Sequence, residues 1–224
     1  MADPSTLEEW WPLFGLRVRT RRLELRVHTD DDLAELADLV GRGVHPPDEM
    51  PFLMPWTDAP PPLLQRQTLQ YVWRMRAEWT PEAWHLALGA WEHGRLVGQQ
   101  SVEAKDFATV RTVDTGSWVG RAHQGAGIGK EMRAAVLHLA FAGLGADRAD
   151  TEAFEDNPAS LAVTRSLGYV PNGEGLHVRR DLPVRCLRFT LPRERWERGR
   201  RGDITIEGLE PAMDLFRASP PPAP

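Results

Sequence analysis

Between Gln124 and Lys130 the chain reads Gln-Gly-Ala-Gly-Ile-Gly-Lys, and no other stretch restricts the fold as much. Glycines at 125, 127 and 129 leave out β-carbons, so successive backbone N–H groups can turn toward one concave surface and meet an anion closely. The flanks give that turn its place. Thr112 to Val119 reads as a strand, and Glu131 to Ala142 as a helix. Met132, Ala135, Val136 and Leu139 form the helix's apolar face, and Gly143 ends it. A helix start adds unpaired N–H groups and a positive dipole end, and Lys130 stands at its mouth. The arrangement suits a diphosphate. A plain tight strand-to-helix turn is the reading that the glycines alone leave open.

Spacing narrows the choice of diphosphate. A Walker loop requires Ser or Thr after Gly-Lys, and here Glu131 follows Lys130. The dinucleotide fingerprint G-x-G-x-x-G fails as well, because the third glycine comes one residue early. The pattern that fits is Q-x-x-G-x-G, carried by Gln124, Gly127 and Gly129.

The rest of the chain reads as alternating elements. Leu23-Glu24-Leu25-Arg26-Val27 alternates as a strand, followed by a helix capped by Thr29 or Asp30, with Leu33, Leu36, Ala37 and Val40 inward. That helix stops at Gly41 and Gly43, and a second helix is expected over 69–79. Strands over 85–91 and 96–103 meet at the turn His93-Gly94. A strand over 149–154 leads to Asn157 and a helix over 158–167, with Pro158 in its first turn. Two strands, 176–179 and 185–191, turn around Asp181-Leu182-Pro183. The order predicts one mixed α/β (α+β) domain on a largely antiparallel sheet. His45 to Pro62 is a proline-rich irregular loop whose Phe52, Met54 and Trp56 either line a binding site or plug the core. Residues 1–19 form an N-terminal arm anchored by Trp10-Trp11, and 196–224 a C-terminal extension. In the extension, 204–206 fits a strand and 211–216 a short helix, packed on the domain or on a second copy. Its end, four prolines within Pro220 to Pro224, is expected to be disordered.

Several function classes find no support. A formal net charge of -5 argues against nucleic acid, although arginines gather at 17–26 and 193–201. No apolar run reaches the roughly 20 residues that span a bilayer, and no signal-peptide pattern opens the chain, so the expectation is a cytoplasmic protein without a membrane partner. Cys186, the one cysteine, lies in an apolar run and reads as a buried thiol without metal-ligand company. His85, His93, His123, His138 and His177 are scattered; no metal site is expected, and His123 is placed to orient the glycine loop.

The Q-x-x-G-x-G spacing resembles the acyl-CoA loop of the GNAT acetyltransferase superfamily. Over 20–195 the chain is similar to the RimJ/RimL branch of ribosomal-protein N-terminal acetyltransferases. The matching pieces are Leu23-Glu24-Leu25-Arg26, Met54-Pro55-Trp56, Gly98-Gln99-Gln100-Ser101, Gly116-Ser117-Trp118-Val119, His123-Gln124-Gly125, Asn157-Pro158-Ala159-Ser160 and Ser166-Leu167-Gly168-Tyr169. The resemblance implies an acyltransferase domain over 20–195, helices on both sheet faces, and a splayed parallel strand pair with the pantetheine arm between. The implied cofactor is acetyl-CoA, or another acyl-CoA such as succinyl-CoA. By the same resemblance, backbone groups of Trp118 and Val119 hold the pantetheine and acyl carbonyl, and N–H groups of Gln124, Gly125, Ala126, Gly127, Ile128, Gly129 and Lys130 the pyrophosphate. Asn157 meets the pantetheine from the other side; it is also an ordinary helix cap. A homodimer is common in the family.

The implied reaction is attack of a primary amine on the thioester. The acceptor is a protein N-terminus, a lysine or a small-molecule amine. Deprotonating lysine costs about 3.5 kcal/mol more than deprotonating an α-amine, which makes a carboxylate base valuable. Glu152 is the first choice, five residues before Asn157; Glu103 is the alternative and Asp114 a third. Glu152 reads also as an outward-facing strand residue, and Glu103 as a sheet-surface charge. Some relatives carry a tyrosine acid seven residues after the helix-start asparagine, where this chain has Thr164. Others use a serine three residues after it, which Ser160 matches. A fold that binds coenzyme A or a peptide without catalysis is the alternative from another class.

Overall fold

A computed structural model describes residues 6–217, which leaves the expected disordered end, 220–224, outside the described residues. Among the described residues nine strands form one sheet, ordered β7-β8-β6-β5-β4-β3-β2-β1-β9. They span Arg17–Arg19 (β1), Leu23–Val27 (β2), Ala83–Glu92 (β3), Arg95–Lys105 (β4), Thr112–Val119 (β5), Arg148–Phe154 (β6), Val170–Arg179 (β7), Leu182–Pro192 (β8) and Thr205–Glu207 (β9). Every pairing is antiparallel except β5 with β6. The mixed, largely antiparallel architecture is the one the sequence predicts.

Alternation decides which side of each strand is buried. Leu23, Leu25 and Val27 turn inward from β2 while Glu24 and Arg26 stay half-buried. Among the described residues seven α-helices accompany the sheet: Leu7–Trp10 (α1), Leu33–Gly41 (α2), Leu63–Ala77 (α3), Phe107–Val110 (α4), Ile128–His138 (α5), Pro158–Ser166 (α6) and Arg193–Arg198 (α7). The main core joins α5 to the sheet through Met132, Ala135 and Val136, with Leu25, Leu88 and Val113. A smaller cluster on the other face packs Leu33, Leu36 and Leu39 of α2 and Val72 of α3 against Trp91 and Leu96.

Some boundaries differ from expectation. Neither Thr29 nor Asp30 caps α2. Instead the Asp32 carboxylate accepts from the Thr29 N–H (2.6 Å) and hydroxyl (2.8 Å), while Arg26 donates to both its oxygens. Helix α3 starts directly after the prolines, well before residue 69, because three prolines can occupy the turn ahead of a helix but not its interior. The hairpin at the end turns on Arg180-Asp181, both at positive φ, rather than around Leu182-Pro183. The tail adds β9 beside β1 and buries Phe216 between Trp79 and Trp84. Trp11 of the arm meets Trp79 edge-on at 6.0 Å, whereas Trp10 is exposed.

Candidate functional site

β5 and β6 pair over three residues only, Thr112 with Arg148, Val113 with Ala149 and Asp114 with Asp150. Both strands then continue without bonding each other's backbone ladder, so a gap opens between them. Side chains replace the lost rungs at its apex: Thr151 donates to the Thr115 carbonyl at 3.0 Å, and Thr115 to the Asp150 carbonyl at 3.4 Å. A cavity of about 840 Å³ occupies this gap. Among its walls are Trp118, Val119, Gln124, Gly125, Gly127, Ile128, Gly129, Lys130, Asn157 and Ser160; of the candidate cofactor residues, Ala126 does not line it.

The glycine loop forms the cavity's rim. Gly125 and Gly127 adopt φ of 78° and 77°, the left-handed region where a β-carbon is strained. The first backbone bond of α5 runs from the Glu131 N–H to the Gly127 carbonyl. Among the described residues, nothing accepts from the N–H groups of Gly125, Ala126, Gly127, Ile128, Gly129 or Lys130 outside the helix. Six donors at a helix start with no partner make an anion-binding nest. Gln124 behaves differently: its N–H turns back to Arg121, and its side-chain amide donates to the carbonyls of Val44 (2.6 Å) and Val119 (2.9 Å). It ties the strand end to the preceding loop.

The loop is held from behind by residues the motif does not contain. Glu131 accepts from Thr20 at 2.5 Å and from Arg22 at 2.7 and 2.9 Å, while Arg22 also donates to the Ala126 carbonyl at 3.2 Å. Burial works against the Glu131 charge, but these bonds outweigh it and hold its pKa below the ordinary value. Arg22 belongs to the arginine cluster at 17–26, so one member of that cluster has a structural task.

Across the gap, Asn157 caps α6 by accepting from the Ser160 N–H at 3.1 Å. The bond fixes the side chain with its oxygen toward the helix, and its amide N–H groups remain for a ligand. Ser160 lies in the first turn of α6 and lines the cavity.

Four carboxylates share one face of the sheet. Strand register puts Glu103 opposite Asp114, and Asp114 opposite Asp150; Glu152 is two residues further along β6. All four line the cavity. Their partners differ. Glu103 accepts from His85 Nδ1 at 2.5 Å, and His85 Nε2 in turn accepts from the Tyr71 hydroxyl at 2.8 Å. The His85 bond lowers the Glu103 pKa despite burial. Glu152 stands 3.6 Å from Arg188 and 3.7 Å from His177. Asp114 has no hydrogen bond or ion pair among the described residues. Its side chain is open to the cavity, yet the partial loss of water around it raises its pKa, and the negative charges of Asp150, Glu103 and Glu152 raise it further. A carboxyl with raised proton affinity suits a base working near neutral pH better than one held down by a histidine.

Cys186 is fully buried, as expected, and burial pushes its pKa up to about 11. It is not without company, however. One potential ligand atom each from Glu152, His177 and Cys186 lies within 4.8 Å of the others, an approach that only the pairing of β6, β8 and β7 creates. His123 also lines the cavity, beside the loop it precedes.

Sheet, parting strands and open amide nest together define an acyl-coenzyme-A-binding fold of the acetyltransferase kind. The chain belongs to the acetyltransferase (GNAT) domain family, whose pattern matches residues 22–170. Solved structures of low sequence identity share the fold. RimL, the ribosomal L7/L12 α-N-protein acetyltransferase in complex with coenzyme A, is 15% identical; 77% of this chain aligns with 95% of it at a TM-score of 0.61. A GCN5-related N-acetyltransferase from Brucella melitensis is 15% identical, covering 81% of this chain and 80% of that one at a TM-score of 0.64. A spermidine N-acetyltransferase chimera of Vibrio cholerae SpeG and hSSAT is 13% identical, covering 79% and 98% at a TM-score of 0.61. Among the described residues no helix is long and apolar enough to cross a membrane.

Proposed function

We propose that the chain moves an acyl group, acetyl in the first instance, from acyl-CoA to a primary amine by direct attack on the thioester. The observation that carries this reading is the row of unpartnered amides from Gly125 to Lys130 beside the parted strands. The diphosphate sits on those amides, the pantetheine arm enters the gap between β5 and β6, and Asn157 donates to it through its amide. Backbone groups of Trp118 and Val119 hold the arm and the acyl carbonyl from the β5 side.

The acceptor approaches from the face bearing Glu103, Asp114, Asp150 and Glu152. Four carboxylates in one cavity favour a cationic amine, and they also lower the concentration of the neutral form that reacts. A proton must therefore leave within the site. Asp114 and Glu152 are the two carboxylates offered to it, with Asp114 the better matched in proton affinity; Glu103, bonded to His85, orients the ammonium. Ser160 hydrogen-bonds near the leaving sulfur. A cytoplasmic enzyme working as a homodimer is consistent with this reading.

The test is release of free thiol from acetyl-CoA with a panel of amines: an α-amino peptide, a lysine peptide and a polyamine. Amine-dependent release with at least one of them is expected. Tight coenzyme binding without release from any acceptor leaves a binding module instead.

A further inference from the structure

Arg133 is a buried charge that the reaction so far leaves unused. It lies on α5 one turn beyond Gly129, is 4% exposed and lines the cavity. Its guanidinium donates to Thr164 Oγ1 on α6 at 2.9 Å and to Ser117 Oγ on β5 at 3.4 Å, while Nε has no partner. Among the described residues no carboxylate pairs with it, and burial pushes its pKa down. A cation withdrawn from water with only hydroxyls for company is costly unless an anion joins it.

Alternation along β5 says where that anion would come from. Asp114, Gly116 and Trp118 point to the acid face; Thr115, Ser117 and Val119 point to the other. Arg133 therefore reaches the gap from the side opposite the carboxylates, and it bridges β5, one wall of the gap proposed for the pantetheine arm, and α6, the helix that Asn157 caps.

We infer that Arg133 is the counter-ion of the departing thiolate, a catalytic residue of this site. The inference rests on the acyl-CoA reading above. The amine lone pair forms the C–N bond from the acid face, and the C–S bond breaks with its electron pair going to sulfur. The ammonium proton passes to a carboxylate of that face. Sulfur's negative charge then develops where a guanidinium is already buried, and the thiolate takes a proton from water as the coenzyme departs. Thr164, which has no useful acidity, serves to hold Arg133 in place.

The wild-type complex with CoA is titrated by the ultraviolet absorbance of the thiolate, with the desulfo-CoA complex as blank. The bound thiol is expected to ionise about one to three units below the free thiol. Arg133→Met abolishes that shift and lowers kcat roughly a hundredfold while leaving the Kd for CoA near its original value. Arg133→Lys keeps the charge and recovers part of both. A wild-type bound thiol that ionises no lower than free CoA overturns the inference without any variant. So does Arg133→Met weakening CoA binding with the thiol unmoved, which assigns the charge to phosphate. Loss of kcat confined to donors with a carboxylated acyl group overturns it too. Absence of CoA binding to the wild type strikes the acyl-CoA reading itself, a separate outcome.

Discussion

Asp114 and Asp150 face each other across the last rung that β5 and β6 share, and beyond that rung the strands part. Loss of surrounding water in the cavity wall raises the pKa of Asp114, and the negative charge of Asp150 beside it raises it further. The same crowding at the point where two interior strands part prepares Asp114 to take a proton.

Asp114→Asn tests this on rate and stability together. A base with a raised pKa works only above it, so kcat/KM climbs with pH through that pKa, and the variant loses this limb along with roughly tenfold or more of its rate. For stability the sign is opposite. A carboxyl whose folded pKa exceeds its unfolded one costs stability once pH rises through the folded value, so Asn raises the melting temperature at neutral pH. A slower and less stable variant would point to a structural role instead.

Glu152→Gln and Ser160→Ala are each expected to lower turnover by about tenfold or more with the circular dichroism spectrum unchanged. Both side chains line the cavity, and neither belongs to the main core. Rates near wild type in both variants remove them from the chemistry.

His28 predicts how the fold responds to acid. It is 1% exposed with neither ring nitrogen bonded, and burial lowers its pKa from 6.5 to about 4. A depressed folded pKa means full stability above pH 6.5, with loss as pH falls from there toward 4. The difference amounts to about 3 kcal/mol over that window. Urea midpoints measured from pH 7 to 4 follow this slope, and His28→Phe flattens it. An unchanged slope in that variant assigns the acid sensitivity to other groups.

The glycine loop was legible because its constraint is local: two positive φ values and a helix start need only neighbouring residues. The acid face was not, and the β3–β4 hairpin explains why. Counting back from the His93-Gly94 turn pairs Glu92 with Arg95 and Trp91 with Leu96, which sets His85 opposite Val102. An irregularity between Ala90 and Trp91 shifts the register by one and brings His85 to Glu103. A one-residue slip exchanges the two faces of a strand, so no pattern in the sequence reveals the Tyr71–His85–Glu103 chain. Arg22 and Glu131 meet across a long stretch of chain, and Cys186 reaches Glu152 only through strand order. Alternating elements, by contrast, carried the fold class, because apolar periodicity survives errors in their ends.

Gly127→Ala puts a β-carbon at φ 77° in the nest, and the strain costs about 1–2 kcal/mol. Affinity for acyl-CoA is expected to fall about tenfold, measured by calorimetry. Gly94→Ala, at φ 76° in a hairpin turn, imposes comparable strain away from the cavity and should lower stability while leaving affinity intact. Equal affinity in both variants would separate the loop from the cofactor.

The most direct measurement is an amide NMR spectrum of the protein labelled with ¹⁵N-glycine, recorded as CoA is added. The account predicts that the signals of Gly125, Gly127 and Gly129 move first and furthest, downfield as their N–H groups take up phosphate oxygens, and that dephosphorylated pantetheine leaves them in place. CoA binding that shifts other glycines while these three stay still would contradict it.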